Sequence, residues 1–376
     1  LNNSLSPTYQ KKIGDMWLLW FAVSNSYSIV DNEFKVILDS YLTAETKKSF
    51  DLFITKKYPF QNASVITDSI EDYLTRSNIS ISKDETEKVQ LDTCYKNITK
   101  LYAINKKIIK VNYDSELVLK TIHPSIAYTS IITNDSVDTT FDIYLKNDIL
   151  YLFQENLLIT SAPKLEYHKI QGKFIMQLLC TIHNKIESDW IGSFHGSTIT
   201  DGNSSILMVG ESGKGKSTLC ALLTANGFNL LADDVSPMLS KDKAIYYNPA
   251  AISIKEGAFS ILENVIDDFK DLPPILFNKQ KGTLKYLPCI KPEQSHYPCN
   301  AVILVNYKEN SNTILTEVSV KRMLETIIPD SWLSPKPYHA KQFLEWLSHI
   351  KVYELTYSDI KDVTKKVSYL FESLSK

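Results

Sequence analysis

The 376-residue chain is long enough for two or three domains around a sizeable core, and its 44% hydrophobic and 22% charged residues are those of an ordinary soluble protein. A formal net charge of −2 gives no electrostatic case for nucleic acid or an anionic membrane as partner. Five scattered cysteines, an odd number, fit a reduced, cytoplasmic protein.

Residues 1–75 are expected to be mostly helical with one strand. The longest early apolar run, 16–23, is too short to span a bilayer, and Lys11-Lys12 ahead of it is not followed by a signal-peptide cleavage pattern. Residues 26–30 alternate as a strand does. Asn32 is then placed as the cap of a helix carrying Phe34, Ile37, Leu38 and Tyr41, with further helices near 44–54 and 65–74. Together 1–85 read as a small, winged-helix-like module, and the polar stretch 76–91 reads as a linker.

Residues 86–165 read as a β-rich segment. Strands are expected at 108–111 and 117–119, and Asn147-Asp148 marks a hairpin between 141–146 and 149–153. A helix over 165–185 presents Ile170, Phe174, Leu178 and Ile182 on one face. The remaining unit, 166–376, is expected to be an α/β core with a mixed sheet flanked by helices. Its strands fall at 206–209, 229–232, 244–247, 301–306 and 352–357, and its last two helices at 340–350 and 358–374. Cys289, His296 and Cys299 offer three zinc ligands, but no fourth is evident and the spacing fits no common finger.

The most informative stretch lies inside this core. The strand at 206–209 runs into Gly210-Glu211-Ser212-Gly213-Lys214-Gly215-Lys216-Ser217, a full match to G-x-x-x-x-G-K-[ST], and a helix follows over 218–224 before Asn226-Gly227. Such a loop turns backbone N–H groups onto an anion, and the helix N-terminus adds partial positive charge. The expected nucleotide contacts are Gly210, Ser212, Gly213, Lys214, Gly215, Lys216, Ser217 and Thr218. Lys216 reaches the β/γ-phosphates and Ser217 a Mg²⁺ ion. Lys214 occupies a variable loop position and is expected in solvent.

Two neighbours extend the pattern. His195 lies fifteen residues before Gly210, and Asp233-Asp234 begin sixteen residues after Ser217, behind the apolar run Leu230-Leu231-Ala232. Carboxylates delivered to the end of a buried strand sit where ligands bind in open α/β sheets. Adjacent residues on a strand point to opposite sides, so one carboxylate is expected to face the metal and the other the acceptor. Of 41 basic residues only Arg76 and Arg322 are arginine, so lysines, Mg²⁺ and backbone amides must stabilise phosphoryl charge unless Arg322 reaches the site.

In order and spacing, His195-Gly196, the GESGKGKS loop, Gly227 and Ala232-Asp233-Asp234 resemble the HPr kinase/phosphorylase family, P-loop protein serine kinases. The resemblance implies Asp233 as base on an acceptor hydroxyl, Ser217 and Asp234 as metal ligands, and His195 near the transferring phosphate. The family's E-x-R-G-x-G signature is replaced by Ile252-Ser253-Ile254-Lys255-Glu256-Gly257. That departure argues against HPr as substrate and against phosphorylase activity. It points toward the divergent group whose members phosphorylate ribosomally made peptides, which the stretches 285–288 and 352–360 also resemble. Residues 16–75 are similar to the PqqD-like peptide-recognition module that accompanies such enzymes.

The expected function is thus ATP- and Mg²⁺-dependent transfer of the γ-phosphoryl group to serine of a peptide or protein, with Lys255 and Lys285 as candidate phosphate or substrate contacts. A small-molecule kinase and a nucleotide-gated binding protein without transfer remain alternatives. Neither nucleic acid nor membrane is expected as a partner, and an oligomer is compatible with the sequence.

Overall fold

The computed structural model describes residues 3–80, 89–278 and 281–374. Residues 81–88, which hold the middle of the expected linker and the 85/86 boundary, lie outside the described residues; at the linker's start, residues 76 and 77 belong to the helix Ala63–Ser77.

The chain opens with three antiparallel strands, β1 (Tyr9–Ile13), β2 (Met16–Phe21) and β3 (Ser26–Asp31), followed by helices α1 (Asn32–Thr43), α2 (Lys47–Lys57) and α3 (Ala63–Ser77). Two strands more than expected are present, because β2 hides its apolar run on both faces. Leu19 and Phe21 meet the three helices, while Leu18 and Trp20 enter the core of the C-terminal half. A strand buried on both sides loses the alternation by which strands are recognised. The α1 cap is Asp31, one residue before the expected Asn32; its carboxylate accepts from Phe34 N at 2.7 Å.

The middle of the chain forms a six-stranded sheet. Its members are β4 (Ile98–Ile104), β5 (Lys107–Tyr113), β6 (Ser130–Ile131), β7 (Thr139–Lys146), β8 (Ile149–Gln154) and β9 (Leu157–Pro163), in the order β6-β4-β5-β7-β8-β9. Asn147 and Asp148 join β7 to β8 with φ of 51° and 61°, the left-handed pair of a two-residue hairpin. The strand expected at 117–119 is instead part of helix α4 (Glu116–Ile126), capped by Ser115. Val118, Leu119, Ile122 and Ile126 recur at helical spacing and pack on the sheet. Helix α5 (Tyr167–His183) covers the same face with Ile170, Phe174, Leu178 and Ile182.

The C-terminal half contains β10 (Trp190–His195), β11 (Ser197–Thr200), β12 (Ser205–Val209), α6 (Lys216–Ala225), β13 (Asn229–Ala232), β14 (Val235–Leu239), β15 (Ala244–Tyr246) and β16 (Ile252–Lys255). It continues with α7 (Phe259–Glu263), β17 (Ile275–Asn278), β18 (Gly282–Leu287), β19 (His296–Tyr307), β20 (Ile314–Glu317), α8 (Val320–Asp330) and β21 (Trp332–Leu333). Helix α9 (Pro337–Leu347), β22 (Lys351–Tyr357) and α10 (Ile360–Leu374) complete it. Ten strands form one mixed sheet in the order β13-β11-β12-β19-β15-β14-β10-β21, with β22 on β19 and β20 on β22. Strands β12, β19 and β22 run parallel. The sheet is covered on both faces, which is why β12 is apolar from Ile206 to Val209. Ile206 and Met208 face α6 and α10, whereas Leu207 and Val209 face α8, α9 and the N-terminal strand β2. That N-terminal contact is specific: Tyr27 meets the Phe343 ring edge-on at 5.4 Å, and Asn25 Nδ2 donates to Leu333 O at 2.9 Å.

Candidate active site

The parallel strands end at the phosphate loop. β12 stops at Val209, the chain crosses from Gly210 to Gly215, and α6 begins at Lys216. Gly215 has φ +89°, and a β-carbon there would sit 3.0 Å from Tyr357 Oη and 3.1 Å from Tyr307 Cβ. Both conformation and space therefore demand glycine. The loop is held from the side by β19 and β22: Tyr307 N donates to Lys214 O at 3.1 Å, and Tyr357 Oη to Gly215 O at 3.3 Å. Lys216 folds its ammonium over the loop, donating to Gly210 O at 2.6 Å and Glu211 O at 3.2 Å. Burial lowers its pKa, while Asp234 and Asp233 act the other way. Ser212, Gly213, Gly215, Lys216, Ser217 and Thr218 line the adjoining cleft; Gly210 and Lys214 do not, and Lys214 is exposed.

Asp233 and Asp234 are not on a strand. They form the bend between β13 and β14, with Asp234 left-handed at φ +65°, and their environments differ sharply. Asp233 is 2% exposed. Its carboxylate accepts from Ser197 Oγ at 2.6 Å, from Ser253 N at 3.2 Å and from Ser217 Oγ at 3.2 Å. Burial pushes its pKa up to about 6, the negative Asp234 adding to this and the Ser197, Ser253 and Ser217 bonds opposing it. Asp234 is exposed and lies 3.4 Å from His195 Nδ1. The motif serine thus meets Asp233, while Asp234, expected with Ser217 as a metal ligand, lies beside His195. Both carboxylates line the cleft, Asp233 buried and Asp234 exposed.

His195 closes β10, and its backbone N–H donates to Ser331 Oγ at 3.1 Å, at the end of α8. Gly196 follows because a β-carbon there would lie 2.6 Å from Met208 O: the chain passes too close over β12 for any side chain. Lys255, on β16, brings Nζ to 3.4 Å from Ser212 Oγ and lines the cleft. Lys285 does not line it. Its ammonium is buried, donates to Phe269 O at 3.1 Å and Lys270 O at 3.2 Å, and lies over the rings of Phe259 and Phe269. The candidate contact at Lys285 is therefore corrected to an internal tie of the turn after α7. Neither arginine enters the cleft; Arg322 pairs with Glu354 at 2.9 Å and Arg76 with Asp72. Cys289, His296 and Cys299 stay apart in role: His296 stacks on Tyr246, and Cys299 is buried. Among the described residues no three His, Cys, Asp or Glu side chains gather to hold a metal, and no helix is long and apolar enough to cross a membrane.

The cleft has a volume of ≈ 1150 Å³ and runs from the phosphate loop to α4 and α5 of the middle unit. Residues missed from the sequence include Ser197, Ser253, Asp330 and Tyr307, all within the loop's surroundings. Isolated serines and a strand-end tyrosine carry no motif. The nearest available signal was position, since Ser197 follows His195-Gly196 and Ser253 lies two residues before Lys255.

No family model and no curated protein matches this sequence. Among solved structures, 49% of the chain is similar to 99% of the HPr(Ser) kinase/phosphatase from Coxiella burnetii, with 12% identity and a TM-score of 0.25. A likeness at that level carries no functional inference.

Proposed function

We propose that the chain is an ATP- and Mg²⁺-dependent kinase that moves the γ-phosphoryl group onto a hydroxyl, with serine of a peptide or protein as acceptor. One observation carries this: the serine of the phosphate loop sits 3.2 Å from a buried carboxylate. Ser217 and Asp233 are hard oxygen donors of the kind Mg²⁺ takes, together with phosphate oxygens, and the ion would supply neutralisation of charge on the β- and γ-phosphates. The loop's backbone amides and Lys216 hold the phosphates, the ammonium exchanging its two carbonyl partners for phosphate oxygens. Lys255, next to Ser212, adds a second cation where arginine is lacking.

The two aspartates then take roles opposite to those implied by resemblance. Asp233 serves the metal, and Asp234, exposed and beside His195, is the base. As the acceptor oxygen forms its bond to phosphorus and the bond to the β-phosphate oxygen breaks, the hydroxyl proton passes to the Asp234 carboxylate. His195 orients that carboxylate. The sheet order supports a direction for the nucleotide. Asp233 lies on the β13 side of β12, so the terminal phosphate points there. The nucleoside leaves over β19 and β22, where Tyr307, Ser358 and Ile360 line the cleft.

The test is incubation with ATP, MgCl₂ and a serine-peptide panel, read by mass spectrometry for the gain of one phosphate. Asp234→Asn is expected to keep nucleotide affinity and lose transfer by about 100-fold or more, the size of a general-base contribution. Near wild-type transfer by that variant would refute the base. Tight ATP binding by the wild type with neither a phosphorylated product nor ADP release would mean a binding protein, not a kinase.

A further inference from the structure

The cleft continues past the phosphate loop into a second lobe. Its walls are Thr121 and Ser125 of α4, His168 and Gly172 of α5, and Phe277 and Lys281 of the β17–β18 hairpin. A chain of backbone bonds sets this lobe on the carboxylate side of the site. Ala251 N donates to Ser125 O at 2.7 Å, and Asn248 N to Leu231 O at 2.9 Å, just before Asp233. The lobe therefore opens onto Asp233 and Asp234, away from Tyr307 and Ile360.

Gly172 is the unusual feature. It sits inside α5, where glycine costs about 1 kcal/mol relative to alanine. No packing demand among the described residues accounts for it, since a β-carbon there would meet none of them within 4 Å. What its missing side chain leaves is width in the cleft. The helix around it is fixed: Gln171 Nε2 donates to Thr121 O at 2.5 Å, and Asn278 Nδ2 donates to Tyr167 Oη at 3.0 Å, tying α5 to α4 and to the hairpin. Lys281 rests its ammonium 5.1 Å from the Phe277 ring centroid and 5.8 Å from that of Tyr167. Lys281 is exposed. The whole cleft, ≈ 1150 Å³, exceeds the roughly 300–1,000 Å³ of a site for one small molecule.

We infer that this lobe is the acceptor site and that it takes an extended peptide segment, with an acidic residue near the phosphorylated serine held by Lys281. The inference rests on the phosphoryl-transfer reading. Gly172 gives the segment room to pass α5, and the serine hydroxyl is delivered to Asp234. The middle unit is then a substrate-selecting wall of the active site.

The experiment uses the full chain with ATP, MgCl₂ and serine peptides that carry Glu, Gln or Lys at each flanking position, together with a fluorescent ATP analogue for nucleotide binding. The wild type is expected to favour Glu over Gln at one flanking position by about tenfold in kcat/KM, the value of one well-placed charge contact. Lys281→Glu should reverse that preference toward Lys. Gly172→Leu should bind the analogue within about twofold of wild type and lose peptide transfer by about tenfold or more through KM. Leucine favours helix over glycine, so loss of folding does not account for that outcome. Wild-type transfer by Gly172→Leu, or a charge preference absent or unchanged in Lys281→Glu, overturns the acceptor lobe while leaving the kinase reading intact. A wild-type chain that binds no nucleotide, or that phosphorylates none of the peptides, overturns the peptide acceptor itself. In the first case the kinase reading falls with it.

Discussion

Replacing Asp233 with Asn is expected to stabilise the ligand-free protein at neutral pH. The carboxyl is buried among Ser197, Ser217 and Ser253, and its pKa is raised from the ordinary 3.8 to about 6. A raised carboxyl means that the folded state holds this proton more tightly than the unfolded chain does. The associated stability is complete below pH 3.8 and is lost as pH climbs through about 6. At 1.36 kcal/mol for each tenfold step, the wild type carries a penalty of about 3 kcal/mol above pH 7. Asn keeps the shape, accepts from Ser253 N through its oxygen and donates to the serine hydroxyls through its amide. Urea unfolding of both proteins should therefore show Asp233→Asn more stable by about 3 kcal/mol at pH 8, by about half that at pH 5, and equal near pH 4. With saturating ATP and MgCl₂ the order should reverse, because only the wild type gains the metal. A variant less stable than wild type at pH 8 without ligand, or a gap that does not narrow on acidification, would refute the idea that ionising this carboxylate opposes folding.

Lys285→Met should separate structure from site. It takes the ammonium away from Phe269 O, Lys270 O and the Glu263 carboxylate, so urea unfolding should show a loss of about 2 kcal/mol, while nucleotide affinity of the folded fraction stays unchanged. A fall in affinity without a fall in stability would return Lys285 to the active site. Gly215→Ala should do the opposite. The left-handed φ and the contacts with Tyr307 and Tyr357 force the loop apart, and titration with a fluorescent ATP analogue should show affinity reduced about tenfold or more. Undiminished binding would mean that the loop does not hold the phosphates.

The parts of this molecule that were legible in the sequence are those governed by short-range rules. The Asn147-Asp148 hairpin, the stripe of α5 and the strand–loop–helix around Gly213 follow from local backbone chemistry and periodicity. Reading failed where tertiary burial overrode pattern. β2 lost its alternation because both faces are covered, and 117–119 looked like a strand only because three apolar residues of α4 are adjacent. The aspartate pair shows a subtler limit. Its arrival beside the loop was readable, but the division of roles assumed strand geometry, and the left-handed Asp234 turns that pair into a bend. Lys285 was misread for a different reason: a lysine pointed inward onto carbonyls looks no different in sequence from one pointed at a phosphate.

The arginine scarcity noted at the outset gains meaning from where the two arginines went. Arg76 and Arg322 are both committed to surface carboxylates, so no guanidinium fork is available for bidentate clamping of a phosphoryl group. Among the described residues, the lysines that line the cleft are Lys216 and Lys255 beside the loop and Lys281 in the far lobe, each a flexible point charge. A lysine-only site must take its geometry from elsewhere. Here that geometry comes from the backbone amides of the loop, pinned by Tyr307 and Tyr357, and from the buried Asp233 that three donors fix in place. Rigid backbone and one immobile carboxylate do the positioning, and mobile lysines supply charge. On this division, replacing Tyr357 or Ser197 should harm phosphate alignment more than replacing Lys255, even though Lys255 alone of the three carries charge.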